Sequence, residues 1–171
     1  MSNMDVTYKT VSLGEIDMFY REAGNPEAPT ILLLHGFPTS SHMYRNLIPE
    51  LAKKYHVIAP DLPGFGSTKA PRCGQYDYSF DNLYKAVEAL TQKLSLQKYV
   101  IMLFDYGAPV GFRLAAASPT ARRGMKFPLS PRSPIGAEPG SILSSSSFSM
   151  ASQMMRSSGS ASNQMICSSG T

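Results

Sequence analysis

The chain has 171 residues, of which 43% are hydrophobic, and a net charge of +4. Its length favours a single domain of ordinary size. Residues 1–118 carry 11 basic and 11 acidic side chains, whereas residues 119–171 carry five basic side chains against the single Glu138. The basic excess therefore lies in the last third of the chain. It does not predict nucleic-acid binding by the first part, which would need basic side chains clustered on a folded surface.

The rest of the composition predicts a cytoplasmic protein without a membrane partner. No window reaches the roughly 18 apolar residues that a membrane span requires, and residues 1–10 hold no apolar stretch of signal-peptide length. Cys73 and Cys167 lie far apart and in no metal-ligand spacing, which predicts reduced thiols. The composition does not indicate which oligomeric state the protein has.

The first half of the chain begins with strand patterns. Residues 8–13 and 16–20 predict two short strands joined by a hairpin turn at Gly14 and Glu15. The continuous apolar run Thr30–Leu34 predicts a buried parallel strand. Ser40 is predicted to cap a helix whose apolar residues recur at four-residue spacing, namely Met43, Leu47 and Leu51.

Strands and helices then alternate. His56–Pro60 predicts a strand that leads into the turn-rich loop 61–66. Ser79 is predicted to cap a helix with one apolar face, formed by Phe80, Leu83, Val87, Leu90 and Leu94. Residues 99–104 predict a further buried strand, and residues 107–117 a helix of small side chains. This alternation predicts an α/β fold whose mostly parallel sheet is covered by helices on both faces.

The pattern ends near residue 118. Of residues 129–171, 15 are Ser, and five prolines exclude a long helix, at positions 119, 128, 131, 134 and 139. Such a composition buries too little apolar surface to offset chain entropy. It predicts a truncated core at 1–118 and a Ser/Pro-rich disordered tail at 119–171. A frame shift in the gene or a mispredicted coding end would produce this boundary, and a natural Ser-rich regulatory tail is the alternative.

Asp105 is the strongest candidate for a reactive side chain. It follows the apolar run 99–104 and precedes Tyr106, Gly107 and a helix of small residues. A strand followed by a reactive side chain, glycine and a helix is the arrangement of a nucleophile elbow, which presents that side chain at the carboxyl edge of the sheet. Leu103 departs from the pattern, which usually has a small residue at that position. An Asp that caps the helix is the alternative interpretation.

A second candidate segment directly follows the strand at 30–34 and reads His35-Gly36-Phe37-Pro38. By itself it is compatible with a strand-end turn built from Gly and Pro. Taken together with the loop 61–66 and the segment 105–111, it resembles the α/β-hydrolase superfamily, and within it the branch of epoxide hydrolases and haloalkane dehalogenases. The resemblance covers about residues 8–118, and it implies an α/β-hydrolase fold that is incomplete.

The resemblance implies that Asp105 is the nucleophile and that the backbone N–H groups of Phe37 and Tyr106 form an oxyanion hole, within an oxyanion loop that includes His35, Gly36 and Pro38. A carboxylate that attacks a tetrahedral carbon displaces a halide or opens an epoxide, and leaves an alkyl ester on the enzyme. Water activated by a histidine then attacks the ester carbonyl, and the oxyanion hole stabilises the resulting intermediate. The implied partner is a small-molecule substrate, with no cofactor and no metal.

The choice between the two substrate classes depends on side-chain donors. Dehalogenases of this branch usually bind the halide through side-chain N–H groups, often where this chain has Phe37 and Tyr106. Phe37 cannot donate a hydrogen bond, and the chain contains no Trp. These residues favour an epoxide-hydrolase-like function over a dehalogenase-like one.

The family places its acid and its histidine after the nucleophile. Here the three histidines, His35, His42 and His56, all precede Asp105, and Glu138 is the only later carboxylate. We therefore expect the chain to be inactive in turnover, and we expect the strand at 99–104 to lie at an open, unpaired edge of the sheet. A dead fragment or pseudoenzyme, and an interaction protein that works through its Ser-rich tail, are the alternatives. The gene sequence around codon 118 would separate them.

Overall fold

The computed structural model describes residues 5–117 and the backbone of residues 125–126. The strands are β1 Thr7–Ser12, β2 Asp17–Ala23, β3 Thr30–Leu34, β4 His56–Pro60, β5 Tyr99–Leu103 and β6 Met125–Lys126. The helices are a short 3₁₀ helix at Ser41–Tyr44, then α1 Leu47–Ala52, α2 Phe80–Lys93 and α3 Gly107–Ala117. The bounds predicted for β3, β4 and α3 are confirmed. Apolar runs bounded by turn residues mark the two strands, and a run of small residues marks the helix.

The strands form one mixed sheet in the order β1-β2-β4-β3-β5-β6. β1 and β2 pair antiparallel, β2 pairs antiparallel with β4, and β4, β3, β5 and β6 run parallel. In the register between β3 and β5, Leu34 faces Leu103 at the last position of both strands. The loops that follow these two strands therefore begin side by side at the carboxyl edge of the sheet.

Two apolar layers cover the sheet, one on each face. Along β3, Leu32 and Leu34 belong to the larger cluster, which packs against α2 and α3, whereas Leu33 belongs to the smaller cluster on the other face. The smaller cluster includes Tyr44 and Ile48 from the segment between β3 and β4. This alternation is the two-residue period of a strand that is buried on both faces. It confirms the predicted α/β architecture.

The helix predicted after Ser40 differs from the one observed. The Oγ of Ser40 accepts a hydrogen bond from the backbone N–H of His42 at 3.3 Å, as a cap should, but it caps a single 3₁₀ turn, and an α-helix begins only at Leu47. Because a 3₁₀ turn is wound more tightly than an α-helix, the side chains that reach the core are displaced along the chain from those predicted for an unbroken α-helix. The predicted stripe was Met43, Leu47 and Leu51, whereas the most buried residues are Tyr44, Ile48 and Ala52.

The predicted open edge beside β5 is wrong over two residues. β6 pairs in parallel with β5, with Ile101 opposite Met125 and Met102 opposite Lys126. The expectation that nothing after residue 118 supplies a strand fails there, because two residues suffice for parallel backbone pairing without any side-chain periodicity to predict it. The rest of the predicted tail, residues 119–124 and 127–171, lies outside the described residues.

Cys73 is disulfide-bonded in the structure, so the prediction of a reduced thiol is wrong at that position, and Cys167 lies outside the described residues. Within the described ranges, no helix is both long enough and apolar enough to cross a membrane.

A polar network ties four strands together at the amino ends of β3 and β4. Glu22 on β2 accepts hydrogen bonds from Lys9 Nζ at 2.6 Å and from His56 Nε2 at 2.8 Å, and His56 Nδ1 lies 3.2 Å from Thr30 Oγ1. Burial raises the pKa of the Glu22 carboxyl, but the hydrogen bonds from Lys9 and His56 outweigh it, so that the pKa lies below its ordinary value of 4.5. The folded state therefore favours ionised Glu22.

We expect Glu22→Gln to destabilise the fold in a pH-dependent way. Because the folded pKa lies below 4.5, Glu22 contributes its full stabilisation above that pH and loses it as the pH falls below. At pH 7 the loss should be about 1.5–3 kcal/mol, as for hydrogen bonds to a charged group, and it should shrink toward pH 3. Urea unfolding across this range measures it. The matched control is Glu50→Gln in the exposed pair with Lys53. An equal Glu22→Gln effect at every pH would contradict the prediction.

Candidate active site

Asp105 lies in a tight turn between β5 and α3 and has an unusual backbone conformation. Its φ is +46°, in the left-handed region that non-glycine residues seldom adopt, and such strain costs about 1–3 kcal/mol. The backbone N–H groups of Gly107 and Ala108 close the turn on the carbonyls of Phe104 and Asp105, at 2.8 and 2.9 Å. Because α3 begins at Gly107, its N-cap position belongs to Tyr106. Asp105 therefore does not occupy the position of a helix cap.

Glycines let α3 cross close to the strands that carry this turn. A Cβ on Gly107 would lie 2.5 Å from the carbonyl oxygen of Leu34, and a Cβ on Gly111 would lie 2.1 Å from Leu103 Cδ2. Neither position has room for a side chain. The second contact also accounts for Leu103, whose bulk departs from the elbow pattern, because the missing side chain of Gly111 makes the space that Leu103 fills.

The loop after β3 brings a backbone donor to Asp105. The N–H of Phe37 donates to Asp105 Oδ1 at 2.8 Å, across 68 positions of sequence. Gly36 makes this approach possible, since a Cβ there would lie 2.5 Å from Asp105 Cβ and 2.8 Å from its Oδ1. The exposed carboxylate of Asp105, the donor of Phe37 and the neighbouring Tyr106 thus lie together at the carboxyl edge of the sheet. Pro38 follows on the exposed side of the loop, after a cis peptide bond.

His35 is fully buried and both of its ring nitrogens are bonded to backbone. Nδ1 lies 2.9 Å from the carbonyl oxygen of Gly36, which can only accept, so Nδ1 carries the proton. Nε2 therefore accepts the hydrogen bond from the Leu62 N–H at 2.9 Å. Burial lowers the pKa of His35, although the bond to Gly36 and the charge of Asp61 oppose that shift. His35 is a neutral ring that joins the loop 35–38 to the loop 61–66.

The loop 61–66 is built around a buried carboxylate. Asp61 is 1% exposed, and its two oxygens accept from the backbone N–H groups of Ser41 at 2.7 Å and Ser67 at 2.8 Å. A Cβ on Gly66 would lie 2.0 Å from Asp61 Oδ2, and the φ of Gly66 is +56°, so glycine is required there. Both oxygens of the Asp61 carboxylate are therefore used to hold the backbone of this loop and of Ser41.

Aromatic rings surround the turn at Tyr106. Its ring centroid lies 5.7 Å from that of Phe37, 6.1 Å from Phe65 and 4.8 Å from Phe80. Burial and the neighbouring charge of Asp105 raise the pKa of the Tyr106 phenol, which keeps the hydroxyl protonated at neutral pH. The sequence reasoning missed Phe65 and Phe80 as parts of this site. The place of Phe65 inside the loop 61–66 was a usable signal, whereas Phe80 resembled any core residue of a helix.

The other histidines of the chain do not complete the site. His56 is buried and bonded to Glu22 and Thr30, as described above, and His42 is exposed on the 3₁₀ helix. In the part of the chain that the structure describes, no three side chains of His, Cys, Asp or Glu are grouped so as to hold a metal ion. The arrangement therefore consists of an exposed carboxylate with one backbone donor in a partly aromatic setting.

A mostly parallel sheet with a strained turn between the strand β5 and the following helix is typical of the α/β-hydrolases. The model of the alpha/beta hydrolase fold family matches residues 29–125, and the chain belongs to that family. Over 126 residues the chain is 50% identical to the uncharacterized hydrolase YNR064C of Saccharomyces cerevisiae, covering 73% of this chain. Over 110 residues it is 38% identical to a haloalkane dehalogenase of Bradyrhizobium diazoefficiens, covering 64% of this chain.

Solved structures give the same relationship. The haloalkane dehalogenase DbeA from Bradyrhizobium elkani USDA94 matches with a TM-score of 0.68 and 36% identity, over 72% of this chain and 41% of that one. The epoxide hydrolase CorEH matches with a TM-score of 0.63 and 30% identity, over 68% of this chain and 40% of that one. The chain spans 43% of the length of the yeast relative and 34% of the Bradyrhizobium diazoefficiens one.

Proposed function

We propose that this chain carries the nucleophilic half of a hydrolase that cleaves a carbon–halogen bond or an epoxide through an ester on Asp105. The observation that carries the proposal is the 2.8 Å hydrogen bond from the Phe37 N–H to Asp105 Oδ1. It joins a reactive carboxylate at a strained turn to a backbone donor from a distant loop. Such pairs of strain and preorganised donors are typical of reaction sites.

The geometry supports one order of events. Oδ1 is engaged by Phe37, so Oδ2 is the oxygen that attacks the tetrahedral carbon of the substrate. A carbon–oxygen bond forms, and the bond from that carbon to the halide or to the epoxide oxygen breaks. Halide leaves as the anion, whereas an epoxide oxygen leaves as an alkoxide that takes up a proton. The product is an alkyl ester of Asp105, with Oδ1 as its carbonyl oxygen beside the Phe37 N–H.

Hydrolysis of the ester needs a second set of groups. Water must attack the carbonyl carbon of Asp105, and a base must take its proton. His35 and His56 use both ring nitrogens in other hydrogen bonds. The described residues therefore support ester formation better than ester hydrolysis.

Different observations favour the two substrate classes. The dehalogenases among the relatives favour a haloalkane. The side chains beside Asp105 favour an epoxide, because Phe37 has no donor for a halide and the protonated hydroxyl of Tyr106 is a hydrogen-bond donor by its chemistry. We propose electrophiles at tetrahedral carbon as the substrate class, with both leaving groups to be compared.

Peptide mapping by mass spectrometry tests the proposal. The 171-residue chain is incubated with 1-bromohexane or 1,2-epoxyhexane, digested, and searched for peptides that gain the mass of the alkyl or hydroxyalkyl group. We expect the adduct on Asp105 with at least one of the two reagents. Adducts on other carboxylates or on exposed His42, with Asp105 unmodified, would refute the assignment of the nucleophile.

A further inference from the structure

The ring of Tyr106 packs against aromatic rings from three other segments of the chain. Phe37 comes from the loop after β3, Phe65 from the loop after β4, and Phe80 from the first position of α2. Phe80 is the nearest of the three, with a centroid distance of 4.8 Å, and it is 7% exposed. The ring beside the predicted nucleophile therefore packs most closely against a helix that contributes no group to the reaction.

Phe80 is in turn held by α3. The guanidinium carbon of Arg113 lies 5.7 Å from the centre of the Phe80 ring, within the range of a cation–π contact. Arg113 Nε donates to Asp81 Oδ1 at 2.6 Å, and Nη1 donates to the carbonyl oxygen of Pro109 at 3.1 Å. The Arg113 side chain is 11% exposed, so this ion pair is shielded on one side. Asp81 and Arg113 thus join the amino end of α2 to the helix that follows the predicted nucleophile.

We propose that the Asp81–Arg113 pair is a positioning device for the turn at Asp105, acting through Phe80 on Tyr106. The inference rests on the proposed function. A non-glycine residue at φ +46° persists only when its surroundings hold it there. The turn is anchored on one side by Phe37, through the bond to Oδ1. The clamp formed by Asp81, Arg113 and Phe80 anchors it on the other, while Asp81 itself is 68% exposed and lies outside the reacting groups.

The consequence is a separation of binding from chemistry. Loosening the clamp removes none of the reacting groups around Asp105, so reagent binding should stay nearly the same. It widens the range of orientations of the carboxylate and of the Tyr106 N–H, so the rate of attack falls. A displacement of about 1 Å can cost as much as 10²-fold in rate, and a clamp one contact removed should cost roughly 10-fold.

The test uses saturation kinetics of Asp105 alkylation in the full chain with 1,2-epoxyhexane or 1-bromohexane, whichever labels faster. The two constants measured are kinact, the limiting rate constant of alkylation, and KI, the reagent concentration that gives half of that rate. For Asp81→Asn and Phe80→Leu we expect kinact to fall roughly 10-fold while KI stays within about twofold. Arg113→Met loses both the charge and the planar fork over the ring. Arg113→Lys keeps the charge, so it should recover only part of the rate that Arg113→Met loses. Glu50→Gln, in the exposed pair with Lys53, is the matched control and should change neither constant.

The outcomes separate the clamp from the proposed function. Absence of any Asp105 adduct in the unaltered chain overturns both. An adduct that forms with the same kinact in Asp81→Asn and Phe80→Leu overturns the clamp alone, whether or not the Tm of those variants falls. Equal losses in kinact for Glu50→Gln would also overturn it, because the effect would then not be specific to this pair. A fall in kinact at unchanged KI, in variants that still fold, is the supporting result.

Discussion

Alkylation of the 171-residue chain is expected to stop after one equivalent and to be abolished in Asp105→Asn. The first step needs only the carboxylate, which is exposed and held by the Phe37 N–H at 2.8 Å. The second step needs a base near the ester carbonyl, and all three histidines of the chain precede Asp105, two of them with both ring nitrogens bonded. General base catalysis is worth about 10²–10⁴-fold, so its loss leaves an ester that outlasts the experiment.

Halide release and isotope incorporation measure this prediction. With excess 1-bromohexane, bromide should plateau at one equivalent per chain, and the intact mass should rise by one hexyl group. Hydrolysis in H₂¹⁸O would place ¹⁸O in the carboxyl group of Asp105, because water attacks its carbonyl carbon. We expect no ¹⁸O there over hours. Steady bromide release with ¹⁸O in Asp105 would show that a base does reach the ester. The Asp105→Asn chain controls for alkylation elsewhere.

Gly36→Ala is expected to remove most of the Asp105 reactivity while the fold survives. A Cβ at position 36 would lie 2.5 Å from Asp105 Cβ, and the contact involves a strained turn that cannot yield easily. The loop must therefore move away from Asp105, which takes the Phe37 N–H with it. Without that donor the carboxylate is no longer held with Oδ2 free to attack. A misplacement of about 1 Å can cost as much as 10²-fold in rate, so kinact for alkylation should fall by about 100-fold. Thermal unfolding, followed by circular dichroism, should show that the variant still folds.

Gly14→Ala is the control for the effect of an added methyl group. Gly14 has φ +81° in the hairpin between β1 and β2, and nothing lies within 4 Å of a Cβ built there. The substitution should cost about 1–2 kcal/mol of stability through backbone strain alone, with kinact unchanged. If Gly36→Ala lowered Tm as Gly14→Ala does but left kinact unchanged, the close approach of Gly36 to Asp105 would have no part in the reaction.

The local pattern of the chain was enough to predict the elements that bear the site. The strand Thr30–Leu34 and the helix Gly107–Ala117 have the predicted bounds, because each is marked by neighbouring turn residues or by a run of small residues. Asp105 could be predicted as a candidate nucleophile, because a reactive side chain between an apolar strand and Gly107 is itself a short-range pattern. Where a 3₁₀ turn at Ser41–Tyr44 replaced the start of the predicted α-helix, the buried residues were displaced by one position from the predicted ones.

Contacts between distant segments were decided by the tertiary structure alone. The sequence placed Phe37 and Asp105 in two separate motifs, but the 2.8 Å bond between them depends on the register of β3 against β5, which aligns Leu34 with Leu103. The convergence of Phe80 on Tyr106, the hold of Arg113 on α2, and the pairing of β6 with β5 likewise join residues far apart in the chain. Hydrophobic periodicity records which face of an element is buried, and it carries no information about which distant residue will lie against that face.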